Sequence, residues 1–224
     1  MQKHLLPLLA LLLAGTTASL NAQVLNWQNL SREQRHIIHV NAGMEYALIY
    51  GAGYNFHPAT RRPLLLGLDI SLPVGNRAFD DLKVRTGIQL ELYKMNKLRL
   101  SGQIKGIYRR YENAIVQLDN FGSETGLTLG YYRRRWFVAA DGNFDKAIVT
   151  HFKHSAAARE DFPGITNGWF VPTAGNFLYG LQAGFSLKHT DITLKAGKIV
   201  SQDFRHAPMI PYYAQLGCSW KIGG

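Results

Sequence analysis

The densest run of groups that could do chemistry lies between residues 151 and 161: His151, His154, Ser155, Glu160 and Asp161. A hydroxyl, an imidazole and a carboxylate are the nucleophile, base and orienting acid of covalent hydrolysis. Their spacing matches no nucleophile motif, and the alternative is coincidence. On a strand, His151 and His154 point to opposite faces, which argues against a shared metal. Asp141 and Asp145 are four apart, so a strand puts both on one face. They could act as catalytic carboxylates or form salt bridges with basic neighbours. Arg133-Arg134-Arg135 is a basic turn, either solvated or touching an acidic surface. No phosphate-binding glycine loop, zinc motif or catalytic-serine motif is present. The single cysteine, Cys218, excludes an intramolecular disulfide and a cysteine-based zinc site. The sequence therefore assigns no catalytic residue, no metal ligand and no cofactor.

The elements that must carry these residues alternate with period two from residue 43 onward. Leu82, Val84, Thr86, Ile88, Leu90 and Leu92 form one face of the cleanest run, with Lys83, Arg85, Gly87, Gln89, Glu91 and Tyr93 on the other. A helix would scatter both sets around its axis. Nine segments read as strands: 40–57, 62–73, 82–94, 97–110, 122–133, 135–150, 177–189, 191–203 and 211–222. Up-and-down barrels usually have an even count, so either RHIIHV at 35–40 is a tenth strand or one of the nine does not span; the expectation is eight to ten. Tight turns fall near 94–97, 133–135 and 188–191. Longer links are expected at 73–81, 110–122, 155–176 and 203–211. Antiparallel hairpins without intervening helices exclude a parallel α/β fold. Ser31 and Gln34 have capping-box spacing, which predicts a short helical turn within 24–35.

Residues 1–22 read as a secretory signal peptide: Lys3, an apolar stretch from Leu5 to Leu13, then small and polar residues up to Ala22. Beyond it no apolar run approaches the length of a membrane helix. The chain has 224 residues, 25 basic and 15 acidic. Cleavage after Ala22 would remove Lys3, leaving 24 basic against 15 acidic residues and a net charge of +9. An exported chain of this charge would meet acidic envelope polymers rather than nucleic acid.

Alternation alone does not say which face is inside, and a soluble, lipocalin-like barrel would turn the apolar face inward; three features favour the apolar face outward. Glycines recur on the polar face (Gly51, Gly53, Gly67, Gly87, Gly126, Gly130, Gly184), as a crowded lumen requires. Aromatics such as Tyr46, Tyr50, Tyr54, Tyr108, Trp136, Tyr212 and Trp220 mark the apolar face and its ends, like an interfacial girdle. The polar face mixes Glu45, Asp69, Glu91, Asp141 and Asp145 with Lys83, Arg85, Arg99, Lys105 and Lys195, so its charges can pair. The fold class is all-β: an antiparallel up-and-down transmembrane β-barrel with a polar lumen.

The chain end strengthens this. Gln215, Gly217, Trp220 and Ile222 stand in a polar-x-Gly-x-x-aromatic-x-hydrophobic order. This resembles the β-signal by which outer-membrane proteins are recognised for barrel assembly, although Gly223-Gly224 follow it. From about residue 36 the chain resembles small bacterial outer-membrane β-barrel proteins, and Leu20-Asn21-Ala22-Gln23 looks like leader junctions of the Bacteroidetes type. The resemblance implies a signal peptide at 1–22, a periplasmic segment at 23–35 and a barrel over 36–224. It also implies outer-membrane lipid, lipopolysaccharide and the barrel-assembly machinery as partners.

The longest link leaves Phe162, Trp169, Phe170 and Val171 apolar in what should be an exposed loop. They form either a binding surface or packing against the rim. The leading expectation is a structural, adhesive or partner-binding barrel working through such loops. A lipid-modifying hydrolase or acyltransferase, or a narrow channel, is the alternative.

Overall fold

In the computed structural model, residues 25–74, 80–172, 174–205 and 208–223 are described; the leader at 1–22 and His206 lie outside them. The wall consists of β1 (Gln34–Glu45), β2 (Ala47–Phe56), β3 (Leu64–Pro73), β4 (Asp81–Met95), β5 (Leu98–Glu112), β6 (Val116–Tyr132), β7 (Trp136–His154), β9 (Gly175–Ser186), β10 (Thr190–Ser201) and β11 (Tyr212–Gly223). A three-residue strand, β8 (Gly168–Phe170), and a helix, α1 (Ala156–Asp161), lie between β7 and β9. Each wall strand pairs antiparallel with its neighbours. β1 pairs with β11 from Gln34↔Gly223 to Met44↔Ala214, closing a ten-stranded up-and-down barrel.

The tenth strand is the candidate at 35–40 extended to Glu45, because the segment 40–57 splits in two. The chain reverses at Tyr46 alone, between the paired residues Glu45 and Ala47. Tyr46 has φ +62°, a costly conformation for a bulky residue. It is held there because its ring packs against the cluster of Leu178, Ile199 and Tyr213. Tyr46 is therefore a lumen residue, not part of the outer aromatic face. The predicted link at 110–122 is also corrected. β5 and β6 stay paired up to Glu112↔Gln117, and only 113–115 turns. Asn113 Oδ1 accepts the N–H groups of Ile115 and Val116 at 2.9 and 2.8 Å, which makes the turn tight. A β-bulge between Glu91 and Tyr93 turns Tyr93 outward, where alternation had put it inside.

The faces sort as alternation predicts. Ile88, Ile104, Leu127, Leu181 and Leu194 are exposed on the outside, while Lys83, Arg85, Glu91, Arg99 and Asp141 are buried inside. Close packing requires glycine on several lumen positions. A Cβ on Gly53 would lie 2.4 Å from the His39 ring, and one on Gly184 2.2 Å from the Phe137 ring.

Residues 25–30 enter one end of the barrel as a plug. Leu25 and Trp27 pack with Ile37, Leu65, Tyr132, Phe137 and Ala139. The predicted helical turn is a single 3-10 turn, Trp27–Asn29, capped by Asn26 rather than Ser31. Gln34 Oε1 does accept the Ser31 N–H at 3.1 Å, but this shapes the entry into β1. Asn26, fully buried, donates to Arg133 O (2.7 Å) and Ser186 Oγ (2.8 Å).

Candidate functional site at the open mouth

The lumen between plug and mouth is filled by paired charge. Arg85 meets Glu45 at 2.9 Å and Glu124 at 3.3 Å; Lys83 bridges Glu45 and Asp145, each at 3.2 Å. Lys195 meets Asp141 at 2.8 Å, and Asn143 donates to the same carboxylate oxygen at 2.9 Å. Asp69 lies 2.9 Å from His39 and 3.4 Å from Lys105. Glu91 pairs with Arg99, whose other arm reaches Gln28 of the plug at 2.7 Å. All ten lumen charges read from the alternation thus have a partner of opposite sign. Asp141 and Asp145 are salt-bridged and lie in separate ion pairs. The central cavity that remains is about 60 Å³, room for a few waters.

Sequence reasoning missed Glu124, Asp81, the Asp191–Lys221 pair and His39. Parity along β6 and β11 carried the signal for Glu124 and Lys221. His39 fell in the short candidate strand 35–40, read apart from 41–45, with which it forms β1.

Beyond the network the barrel opens. β5, β6 and β7 rise above the Tyr46 hairpin and give the mouth one high wall. Its floor is Tyr46, with Lys83 Nζ 5.9 Å from the ring centroid. Arg109 grips Asp81 through two bonds of 2.7 and 2.6 Å. Asn120 donates to Thr150 Oγ1 at 2.7 Å. Ile107, Tyr111, Leu118 and Phe152 form the apolar side. The space enclosed is about 460 Å³, within the range of small-ligand pockets at barrel mouths. One side offers fixed donors and acceptors and the other an apolar wall, so the mouth can bind and orient an amphiphilic group.

The long link borders this mouth. β8 adds to the rim of β7 through Thr150↔Phe170, His151↔Trp169 and Phe152↔Gly168. Trp169 lies over His151 (4.8 Å) and near Phe121 (6.2 Å), while Phe170 meets the Phe152 edge (5.3 Å). Both rings lean on the wall yet keep much of their surface exposed; Phe162 and Val171 stand free of such a ring contact and are also exposed. His154 bonds Asn167 at 3.1 Å, away from His151. Among the described residues no group of His, Cys, Asp and Glu is arranged to hold a metal. Gln215 and Gly217 of the terminal strand face the lumen, and Trp220 and Ile222 face outward, on the strand that closes the barrel. No protein-family model and no curated protein matches the chain.

Proposed function

We propose that this chain is an integral outer-membrane β-barrel that binds a partner through its mouth and long loop and does not conduct solute. The observation that carries this reading is the inverted partition: exposed Ile88, Ile104, Leu127 and Leu194 outside, paired charges within. In water such an apolar belt would drive association. In a bilayer it is solvated by acyl chains, and a closed barrel leaves no strand edge unpaired. The plug and the ion-pair network support a binding role over a channel. Burial of the lumen carboxylates in salt bridges supports it over catalysis.

Reconstitution into liposomes tests the proposal. The folded protein should run as a heat-modifiable species, show no conductance and leave lipid chemically unchanged. Identical mobility before and after boiling, with solubility in detergent-free buffer, would overturn the membrane reading. Steady conductance or lipid turnover would overturn the binding role alone.

A further inference from the structure

The positive charge of this protein is concentrated at one end. The plugged end carries the entry into β1, the β2–β3 link and the β4–β5, β6–β7 and β9–β10 turns. Arg32, Arg35, Arg61, Arg62, Lys94, Lys97, Arg133, Arg134, Arg135 and Lys188 lie there, all exposed. Every connection at this end contributes at least one cation, and Glu33 is the only acid among these exposed positions. Of the 24 basic and 15 acidic residues beyond Ala22, this collar takes ten and one, leaving fourteen against fourteen elsewhere. The excess of nine cations on this collar equals the excess of residues 23–224 taken together. Among the described residues none of the ten has a carboxylate partner.

Within the ring is a groove of about 1010 Å³ between the β4–β5 and β6–β7 turns. Lys94, Lys97, Arg133 and Arg134 line it, with Met95, Leu98 and Tyr131 as its apolar side. Arg133 is anchored, its Nε donating to Tyr131 Oη at 2.9 Å and its guanidinium 5.5 Å from that ring's centroid. Met95 and Leu98 are exposed next to these cations.

We propose that this groove binds the headgroup of an anionic phospholipid, with the collar drawing such lipids around the barrel. Cations over an exposed apolar surface match a ligand that is a phosphodiester at one end and acyl chain at the other. A soluble acidic polymer would use the cations but leave Met95 and Leu98 in water. A ring at the border of the apolar belt also meets a headgroup layer on all sides, whereas a docked protein covers one. The short turns at this rim put it on the periplasmic side, where the leaflet is phospholipid. The inference rests on the membrane-barrel reading above.

The test reconstitutes the full-length mature chain in nanodiscs of phosphatidylethanolamine with a minority of phosphatidylglycerol, then counts retained lipids by native mass spectrometry. Phosphatidylglycerol should be enriched on the wild type. The Lys97→Gln/Arg133→Gln/Arg134→Gln variant should lose about fivefold or more of that enrichment at low salt. Arg61→Gln/Arg62→Gln, in the collar but not lining the groove, should lose less. Should the triple variant fail to insert, a salt titration of the wild type decides: enrichment that persists unchanged at high salt overturns the proposal. So does an equal preference for both lipids, undiminished enrichment in the triple variant, or capture of lipopolysaccharide or peptidoglycan in place of phospholipid. A wild type that never inserts would sink the membrane reading, which is a separate result.

Discussion

At the scale of single residues, the lumen shows what alternation can and cannot reveal. A polar face with both signs of charge predicts pairing, because a buried unpaired charge is far costlier than a paired one. It does not predict which partners meet, since that depends on register. Lys221 illustrates this. Its Nζ lies 2.8 Å from Asp191 and 3.2 Å from Asn29 O, and both charged side chains are fully buried. Lys221→Met should destabilise the barrel by about 3–5 kcal/mol, because Asp191 keeps only the Asn26 N–H. Lys221→Met/Asp191→Leu should recover most of the loss, and urea unfolding in detergent measures both; equal instability of the two variants would show that the charges themselves are needed. His57, in the link between β2 and β3, gives a pH signature. Burial holds its imidazole below the ordinary value of 6.5, with Nδ1 3.3 Å from Gln34 O. The folded chain then resists a proton that the unfolded chain accepts. Stability from this residue is complete above about pH 6.5 and declines as pH falls towards the lowered folded value. Comparing wild type with His57→Asn across that range should remove this slope, while a parallel pair of curves would reject the assignment.

At the scale of elements, seven of the ten wall strands were legible within four residues of their ends, because their apolar and polar faces alternate over most of their length. The failures have local causes. β1 and β2 carry a continuous pattern through a one-residue reversal, and nothing in Met44-Glu45-Tyr46-Ala47 is a standard turn signal. The extension of β6 to Val116 was hidden because Asn113 and Asn120 read as loop residues, although the first shapes the turn and the second bonds across the wall. The loop residues Phe162, Trp169, Phe170 and Val171 were legible as an apolar excess, but the strand that carries Trp169 and Phe170 was not; three residues are too few for a period. β8 pairs with the wall along only that length. Deleting 158–172 should therefore leave the heat-modifiable barrel intact and lower partner or ligand binding at the mouth by at least tenfold, from loss of the Trp169 and Phe170 shelf. Failure to insert would instead make this segment part of the wall's stability.

At the scale of the whole molecule, two barriers lie in series along the lumen, and they differ in kind. The plug is a short segment held by apolar packing and the Asn26 bonds. The waist is a set of wall side chains, Arg85 and Glu124 at its centre, that fills the section with paired charge. A ten-stranded barrel is narrow enough for its own side chains to occupy the interior. Removing the plug alone should then cost stability without opening a path. An ion entering from that end still meets the waist, where the remaining cavity is about 60 Å³ and Gln103 ties Glu124 to Asn143 across it. Deletion of 25–30 is therefore expected to give a folded, non-conducting barrel in planar bilayers. Combining it with Arg85→Ser/Glu124→Ser removes one charge of each sign, leaves the net charge of the lumen unchanged and replaces two long side chains with small hydroxyls that water can join. Discrete conductance steps should appear only in that combined variant. Steps from the plug deletion by itself would move the barrier to the terminus end and make the ion-pair network a wetted lining rather than a seal.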